Sequence, residues 1–466
     1  MCICNDIYLH TGPCLSIQCS AVRKECSVLV VATTYIQCVG IGCILLQKRT
    51  QTWPGNFAGE TDNVEKRHKR SMPILYTTYH IRHTASMRIL LVVTTLKPQS
   101  GWGTYGRNTA RALQKKGHTV FALVQEKAEE HLCEQNESLP DPLSLLSSPR
   151  AWLQTAVALQ KAVRRYKPNI IHVLVEPYAL AVPFSRTTVR TPWVLSLNGT
   201  YSVLPLYHWH TRPLLHRAYR SANYIFSPSD YTAKRTLAAL SEQCGKRSAS
   251  AIRKKIVRFK LGIEPPATER VHQKQREKQF LSVGGIKPRK GIAETIQACA
   301  SFRKQSNLPF HLHLVGTYPD DAYRKELQEL IRTENLHANI TFHGHIDENA
   351  LEGLYTQADL FIMLSKSFGH HFEGFGLVFL EANIRGIPVI GSKDSGCAEA
   401  IQEGNSGYAT DPMEPDQVAR RMRKIVEEDC IRSEDCRRWA QKHSVEQQAT
   451  TFEETYKRAL SNSETA

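Results

Sequence analysis

Two short stretches of the sequence carry residue types suited to holding a charged, hydroxylated ligand. The first is VGGIKPRKG, residues 283–291, where an apolar run gives way to Gly284 and Gly285 and then to Arg289 and Lys290. Glycines let a backbone turn sharply where a strand ends, and a helix starting there offers unpaired N–H groups and its positive dipole end to an anion. Arginine adds a planar fork matched to two phosphate oxygens, and lysine a compact point charge. An RK pair alone is more often a solvated basic turn. Its place between strand and helix favours the anion.

The second stretch is EGFGLVFLEA, residues 373–382, which follows the apolar run LFIML. Gly374 and Gly376 permit a tight turn, so the amides around Phe375 to Leu377 are expected to face a cleft. Glu381 falls about one turn inside the next helix, where a carboxylate can accept both hydroxyls of a ribose. Glu373 and Glu381 could each be a cap or a surface residue; strand, glycines and helix in sequence make the binding reading the stronger one.

These stretches need a scaffold, and the chain supplies a regular one from Met87 onward. RILLVVTTL reads as a strand buried on both faces of a parallel sheet. It is followed by the glycine-bearing loop KPQSGWGTYG, a helix from about Arg107 to Lys116 and the strand TVFALV. Further strands are expected at residues 169–175, 193–197, 224–227 and 254–261, and residues 263–278 read as a linker. A second alternation then runs through strands at 280–283, 311–315, 340–343, 360–364 and 388–391. The fold class expected is α/β: two doubly wound, Rossmann-like parallel-sheet domains, residues 87–262 and 279–442, facing across a cleft, with a helix and tail at 443–466.

The charge of +16, from 60 Lys and Arg against 44 Asp and Glu, suits an anionic partner without choosing one. No finger, helix-turn-helix or aromatic-basic repeat points to nucleic acid. Residues 201–220 mix Arg and His with Trp, Tyr and Leu and contain no acid, a composition suited either to peripheral contact with an anionic membrane or to a solvated basic helix. Of 13 cysteines, seven precede residue 44 and none forms a Cys-x-x-Cys unit, so the body reads as a reduced, cytoplasmic protein. The histidine pairs His370 with His371 and His343 with His345 lack a clustered carboxylate, and no metal is expected. Residues 1–86 are read separately: the uncharged run 27–46 is long enough to span a bilayer but has basic residues on both sides, and RHKR at 67–70 closes a stretch without periodicity. A non-structural leader, a membrane anchor and an ordered extension are all open for it.

From Met87 the chain resembles the retaining glycosyltransferases of family 4, also called glycosyl transferase group 1, of the GT-B fold. The motifs that carry the likeness are VGGIKPRKG, HLHLVG, ITFHGHI, EGFGLVFLEA and GIPVIGS in that order. The resemblance implies a nucleoside-diphosphate sugar as donor substrate with no other cofactor, Glu373 on the sugar, Glu381 on the ribose, and Arg289 with Lys290 on the diphosphate. It implies that the loop around Gly101 and Gly103 closes over phosphates or acceptor, and that the turn after WVLSL is the reaction centre. There the family usually has histidine before Gly-Thr, whereas this chain has Asn198; at Gly285 many members carry arginine. The catalytic set expected is therefore Asn198, Glu373 and Lys290, with a glycan, a lipid-linked molecule or a small molecule as acceptor. An epimerase or inverting transferase on the same architecture, or a silent nucleotide-sugar binder, are the alternatives.

Overall fold

The computed structural model describes residues 86–464 apart from 98–99, 130–131, 186–190, 267–274 and 319, together with two short strands nearer the N-terminus. Those two, β1 (Ile36–Cys38) and β2 (Cys43–Leu45), pair antiparallel. The rest of the apolar run 27–46, and the RHKR stretch, lie outside the described residues. Among the described residues no helix is long and apolar enough to cross a membrane.

The compact unit Arg82–Ala466 holds two sheets. The first comprises β3 (Arg88–Val92), β4 (Thr119–Val124), β5 (Glu134–Glu137), β6 (Ile170–Val173), β7 (Trp193–Ser196), β8 (Tyr224–Ser227) and β9 (Ile256–Arg258). Its order is β5-β4-β3-β6-β7-β8-β9, all parallel. The helices between these strands are α1 (Gly101–Lys115), α2 (Pro149–Tyr166), α3 (Arg212–Ser221), α4 (Asp230–Cys244) and α5 (Lys246–Arg253).

The second sheet alternates β10 (Lys278–Val283), α6 (Ile292–Gln305), β11 (Phe310–Val315), α7 (Asp321–Thr333), β12 (Ile340–Gly344), α8 (Glu348–Gln357), β13 (Leu360–Ile362), α9 (Leu377–Ile384), β14 (Val389–Ser392) and β15 (Gly407–Thr410). Its order is β12-β11-β10-β13-β14-β15, again all parallel. Three helices close the chain: α10 (Pro415–Val426), α11 (Ser433–Gln441) and α12 (Val445–Glu464). This is the doubly wound, two-domain arrangement expected, and in each sheet the strand order reverses at one place, between β3 and β6 and between β10 and β13. Ligands bind at such reversals, beyond the carboxyl ends of the strands.

Alternation along the short buried strands builds two cores. Phe280, Leu312, Leu314 and Ile362 pack on one face of the second sheet with Ile296, Phe302 and Met422. Leu281, Phe361 and Val389 point to the other face, into a core continuous with that of the first domain. Helix α12 crosses back to the first sheet, burying Ala449, Phe452, Tyr456 and Ala459, a 3-4-3 spacing that marks one helical face. The Tyr456 hydroxyl reaches His172 Nδ1 (2.6 Å), His172 Nε2 reaches Ser196 Oγ (2.8 Å), and Ser196 Oγ meets the Tyr105 hydroxyl of α1 (2.7 Å). Burial holds His172 at about 3, so this chain of bonds stays neutral and fixes the end of β7 against α1 and α12.

One local expectation needs correction. Gly101 and Gly103 do not lie in a loop before a helix starting near Arg107; they form the first turn of α1. Ser100 is extended and its Oγ accepts the Gly103 amide, an N-cap that starts the helix six residues early. A Cβ on Gly103 would sit 1.8 Å from the Lys97 carbonyl oxygen, so the loop can fold over this turn only because the residue is glycine.

Candidate active site

The candidate site is built where β10 and β13 end. After β10 the chain passes Gly284 and Gly285, makes a 3₁₀ turn at Pro288–Lys290 and enters α6. The segment after β13 backs this turn, with the Lys366 amide donating to the Arg289 carbonyl (2.8 Å). Both cations of the turn aim at one carboxylate: Lys290 Nζ lies 2.5 Å and Arg289 Nη1 3.0 Å from Glu373 Oε2. Burial alone would push the Glu373 carboxyl up, but the two cations outweigh it and hold it down at about 2.

A third cation shares the turn, and sequence reasoning passed over it. The Lys287 side chain lies 3.5 Å from where a Cβ on Gly285 would stand. Burial first, then Arg289 and Lys290, lowers its ammonium from the usual lysine range. With Lys287 the turn gathers three cations, two of them sharing one carboxylate, an excess of positive charge that a bound anion would relieve.

The EGFG segment lies against the first domain. Gly199 and Glu373 form an isolated antiparallel bridge, and the Gly396 amide donates to the Glu373 carbonyl (3.0 Å). Ser229 Oγ (2.5 Å) and Thr232 Oγ1 (2.9 Å) both donate to the Gly374 carbonyl. A Cβ on Gly374 would stand 1.9 Å from the Asn198 carbonyl oxygen, so the domains can approach this closely only at glycine. Phe375 is buried and Gly376, in the left-handed region, starts α9 at Leu377 without any side-chain cap. The first amides of α9 therefore remain donors for a ligand.

Glu381 sits in the second turn of α9. One of its oxygens accepts the Tyr355 hydroxyl (3.2 Å), whose ring carries Arg385 at 4.6 Å, and its other oxygen accepts no hydrogen bond from the described residues. Burial raises its carboxyl above the usual range, opposed by Arg385 and by the Tyr355 bond. Tyr355 fixes the orientation that a ribose would meet.

Asn198 follows β7, and its side chain is turned inward: Nδ2 donates to the Leu174 carbonyl (2.7 Å) and to Glu176 Oε2 (3.1 Å). The Asn198 and Gly199 amides donate to Glu176 Oε1 at 2.5 and 3.2 Å. Glu176 is 1% exposed, and burial raises its carboxyl despite these donors. Buried carboxylates are expensive unless bonded this fully, and this one braces the turn opposite Glu373. Trp102 of α1 and Tyr201 complete that wall, with ring centroids 5.7 Å apart. Burial raises the Tyr201 phenol, and Arg289 across the cleft opposes that shift.

The candidate residues thus fall into two groups. Lys290, Arg289, Glu373 and the α9 N-terminus converge in the second domain; Asn198 reaches them through the Gly199–Glu373 bridge and the contact of its carbonyl with Gly374. Among the histidines weighed as metal ligands, His370 stacks on Tyr207 at 3.6 Å and His343 bonds His313 at 2.9 Å.

Residues 266–443 match the family profile of the glycosyl transferases group 1, and residues 100–241 that of glycosyltransferase family 4. The GDP-mannose-dependent alpha-(1-6)-phosphatidylinositol monomannoside mannosyltransferase of Mycobacterium tuberculosis is 26% identical over 52% of this chain and 62% of its own length. The sulfoquinovosyl transferase of Arabidopsis thaliana is 26% identical over 61% of this chain and 53% of its own. These matches therefore span less than two thirds of either relative. Among solved structures, sucrose-phosphate synthase from Thermosynechococcus elongatus superposes with a TM-score of 0.65 at 19% identity, covering 81% of this chain and all of that one. Anabaena HepE, solved with UDP and glucose, superposes at 0.63 with 18% identity, covering 80% of this chain and all of HepE. With two family profiles covering most of the paired sheets and the cleft residues in the order described, the chain belongs to the group 1, family 4 glycosyltransferases of the GT-B fold.

Proposed function

We propose that the protein is a retaining glycosyltransferase that moves a sugar from a nucleoside diphosphate to a hydroxyl of a lipid-linked, glycan or small-molecule acceptor, without a metal ion. The observation that carries this reading is the pairing of Arg289 and Lys290 with Glu373 at the β10/β13 crevice, with Lys287 near the same two cations. In the reaction the bond from the anomeric carbon to the diphosphate oxygen breaks and negative charge grows on the leaving group. Fixed cations and the open amides of α9 stabilise that charge and need no reorganisation at the moment of transfer. Glu373 exchanges its cations for the sugar hydroxyls as the diphosphate takes them over. The acceptor oxygen bonds the same face of the anomeric carbon, and its proton passes to the leaving phosphate oxygen, so no side-chain base is required.

The mycobacterial relative named above uses GDP-mannose and a phosphatidylinositol mannoside, which supports a nucleotide-sugar donor and an amphiphilic acceptor here. The inward turn of Asn198 agrees with a positioning role in place of proton transfer, because an amide exchanges no proton near neutral pH. The test is turnover after exhaustive chelation, with the anomeric configuration of the product read by NMR. Activity that survives chelation and retains configuration is expected. Inversion, or a complete loss restored by magnesium or manganese, would contradict the reading.

A further inference from the structure

One face of the first domain leaves large apolar side chains in solvent on neighbouring elements: Trp209 is 83% exposed, Leu153 64% and Phe184 49%, with Leu143 and Val157 beside them in the same class. Along α2 the outward residues Arg150, Leu153, Val157, Lys161 and Arg164 follow one another at spacings of 3, 4, 4 and 3, a single stripe down the helix. The stripe is apolar in the middle and cationic at both ends, and α2 contains no acidic residue.

Phe184 is tied to this stripe by its ring, which stacks on Trp152 with centroids 6.0 Å apart. The Trp209 loop is tied to it by His210, whose Nε2 bonds the Leu146 carbonyl at 2.8 Å. Residues 201–220, which carry Trp209, also lack any acid. Arg150, Lys161, Arg164 and Arg217 make no ion pair among the described residues, while the neighbouring Arg165 is paired with Glu134. Asp141, the acid nearest Leu143 in sequence, spends one oxygen capping the Leu143 amide.

Isolated exposed apolar residues need no explanation, but an aromatic and aliphatic cluster rimmed by unpaired cations does. Its chemistry matches the headgroup boundary of an anionic bilayer, where Trp, Leu and Phe enter the acyl margin and Lys and Arg meet lipid phosphates. We propose that α2, the turns Pro142–Leu146 and Glu176–Phe184, and the Trp209 loop form a docking face for an anionic phospholipid bilayer. The face ends at the cleft: Tyr207, two residues before Trp209, stacks on His370 of the second domain. A lipid-linked acceptor held in that bilayer would meet the protein at the rim of its site.

The test is co-sedimentation of the full chain with vesicles of phosphatidylcholine, alone or with about one third phosphatidylglycerol, at low and high salt. Binding to the anionic vesicles only, weakened by salt, is expected. The double variant Leu153→Ser with Trp209→Ser lowers affinity on the order of tenfold. The triple variant Arg150→Gln, Lys161→Gln, Arg164→Gln lowers it on the order of a hundredfold, about fivefold per cation. All five positions are exposed, and unchanged melting temperatures check that the variants fold. Brominated lipids quench the fluorescence of the wild type more than that of Trp209→Ser. Failure to bind anionic vesicles, equal binding to neutral ones, or binding undiminished in both variants would overturn the proposal, the last assigning attachment to another part of the chain.

Discussion

Lys290 and Glu373 are 83 residues apart in sequence, yet Nζ and Oε2 lie 2.5 Å apart at the carboxyl ends of β10 and β13. Two cation-bearing and carboxylate-bearing loops are thereby locked in register before any ligand arrives. A diphosphate bound in the crevice as proposed would compete with Glu373 for the same lysine, so that binding and the repositioning of Glu373 would be one event.

That ion pair makes acid stability depend on Glu373. Burial pushes its carboxyl up, but Lys290 and Arg289 hold it at about 2 against an ordinary 4.5, so folding favours the ionised form. Its contribution is complete above about 4.5, where the unfolded chain is also ionised, and disappears as pH falls through about 2. In urea unfolding at a series of pH values, the advantage of the wild type over Glu373→Gln should shrink across that window. An advantage that stays constant, or grows on acidification, would show that the pair does not form.

Asn198→Asp is expected to be the most damaging isosteric change in the cleft. It replaces an amide whose Nδ2 donates to Glu176 Oε2 with a second carboxylate beside a buried one. Breaking a buried charge-assisted contact and opposing like charges costs about 3 kcal/mol. Calorimetric melting should therefore show a fall of several degrees, recovered in the double variant Asn198→Asp with Glu176→Gln. A melting temperature equal to the wild type's would mean that Glu176 does not brace this turn.

Glu399 should govern how tightly the two domains close. Its carboxylate accepts the Asp230 and Tyr231 amides at the start of α4 (2.8 Å each) and the Arg258 guanidinium (2.8 Å). Caps of this kind are worth about 1 kcal/mol, and here the cap spans the cleft. Glu399→Ala should raise the radius of gyration in small-angle scattering and raise KM for the donor more than it lowers kcat. An unchanged scattering curve with unchanged KM would show that closure is held elsewhere.

A chain beginning at Arg82 should melt at the temperature of the full chain, because Arg82–Ala466 forms a compact unit of its own. A loss of several degrees on removing the first 81 residues would show that they stabilise the sheets.

The apolar strands were the most readable part of the sequence, since RILLVV and TVFALV past their first residues are buried on both faces and carry little but Val, Leu, Ile and Phe. The two strands missed in the two parallel sheets are the exceptions to that chemistry. β5 (EQNE) is a polar edge strand, and β15 (GYAT) is short and begins with glycine. The cationic turn and the EGFG turn were legible because glycine and charge cluster visibly in sequence. Glu176 was not, because an acid within VLVEPYAL gains meaning only when folding brings the Asn198 and Gly199 amides to it. Lys287 was hidden for a similar reason, as only the folded turn shows it facing the space beside Gly285.

The central claim is that the β10/β13 crevice holds a nucleoside diphosphate through Lys290. Calorimetric titration of UDP and GDP into the wild type and into Lys290→Ala tests it without knowledge of the acceptor. At least one nucleotide is predicted to bind the wild type and to bind Lys290→Ala on the order of a hundredfold more weakly, the loss expected for about 3 kcal/mol from one preorganised charge contact. Equal affinity in the two proteins, or no binding of either nucleotide to the wild type, would contradict the account.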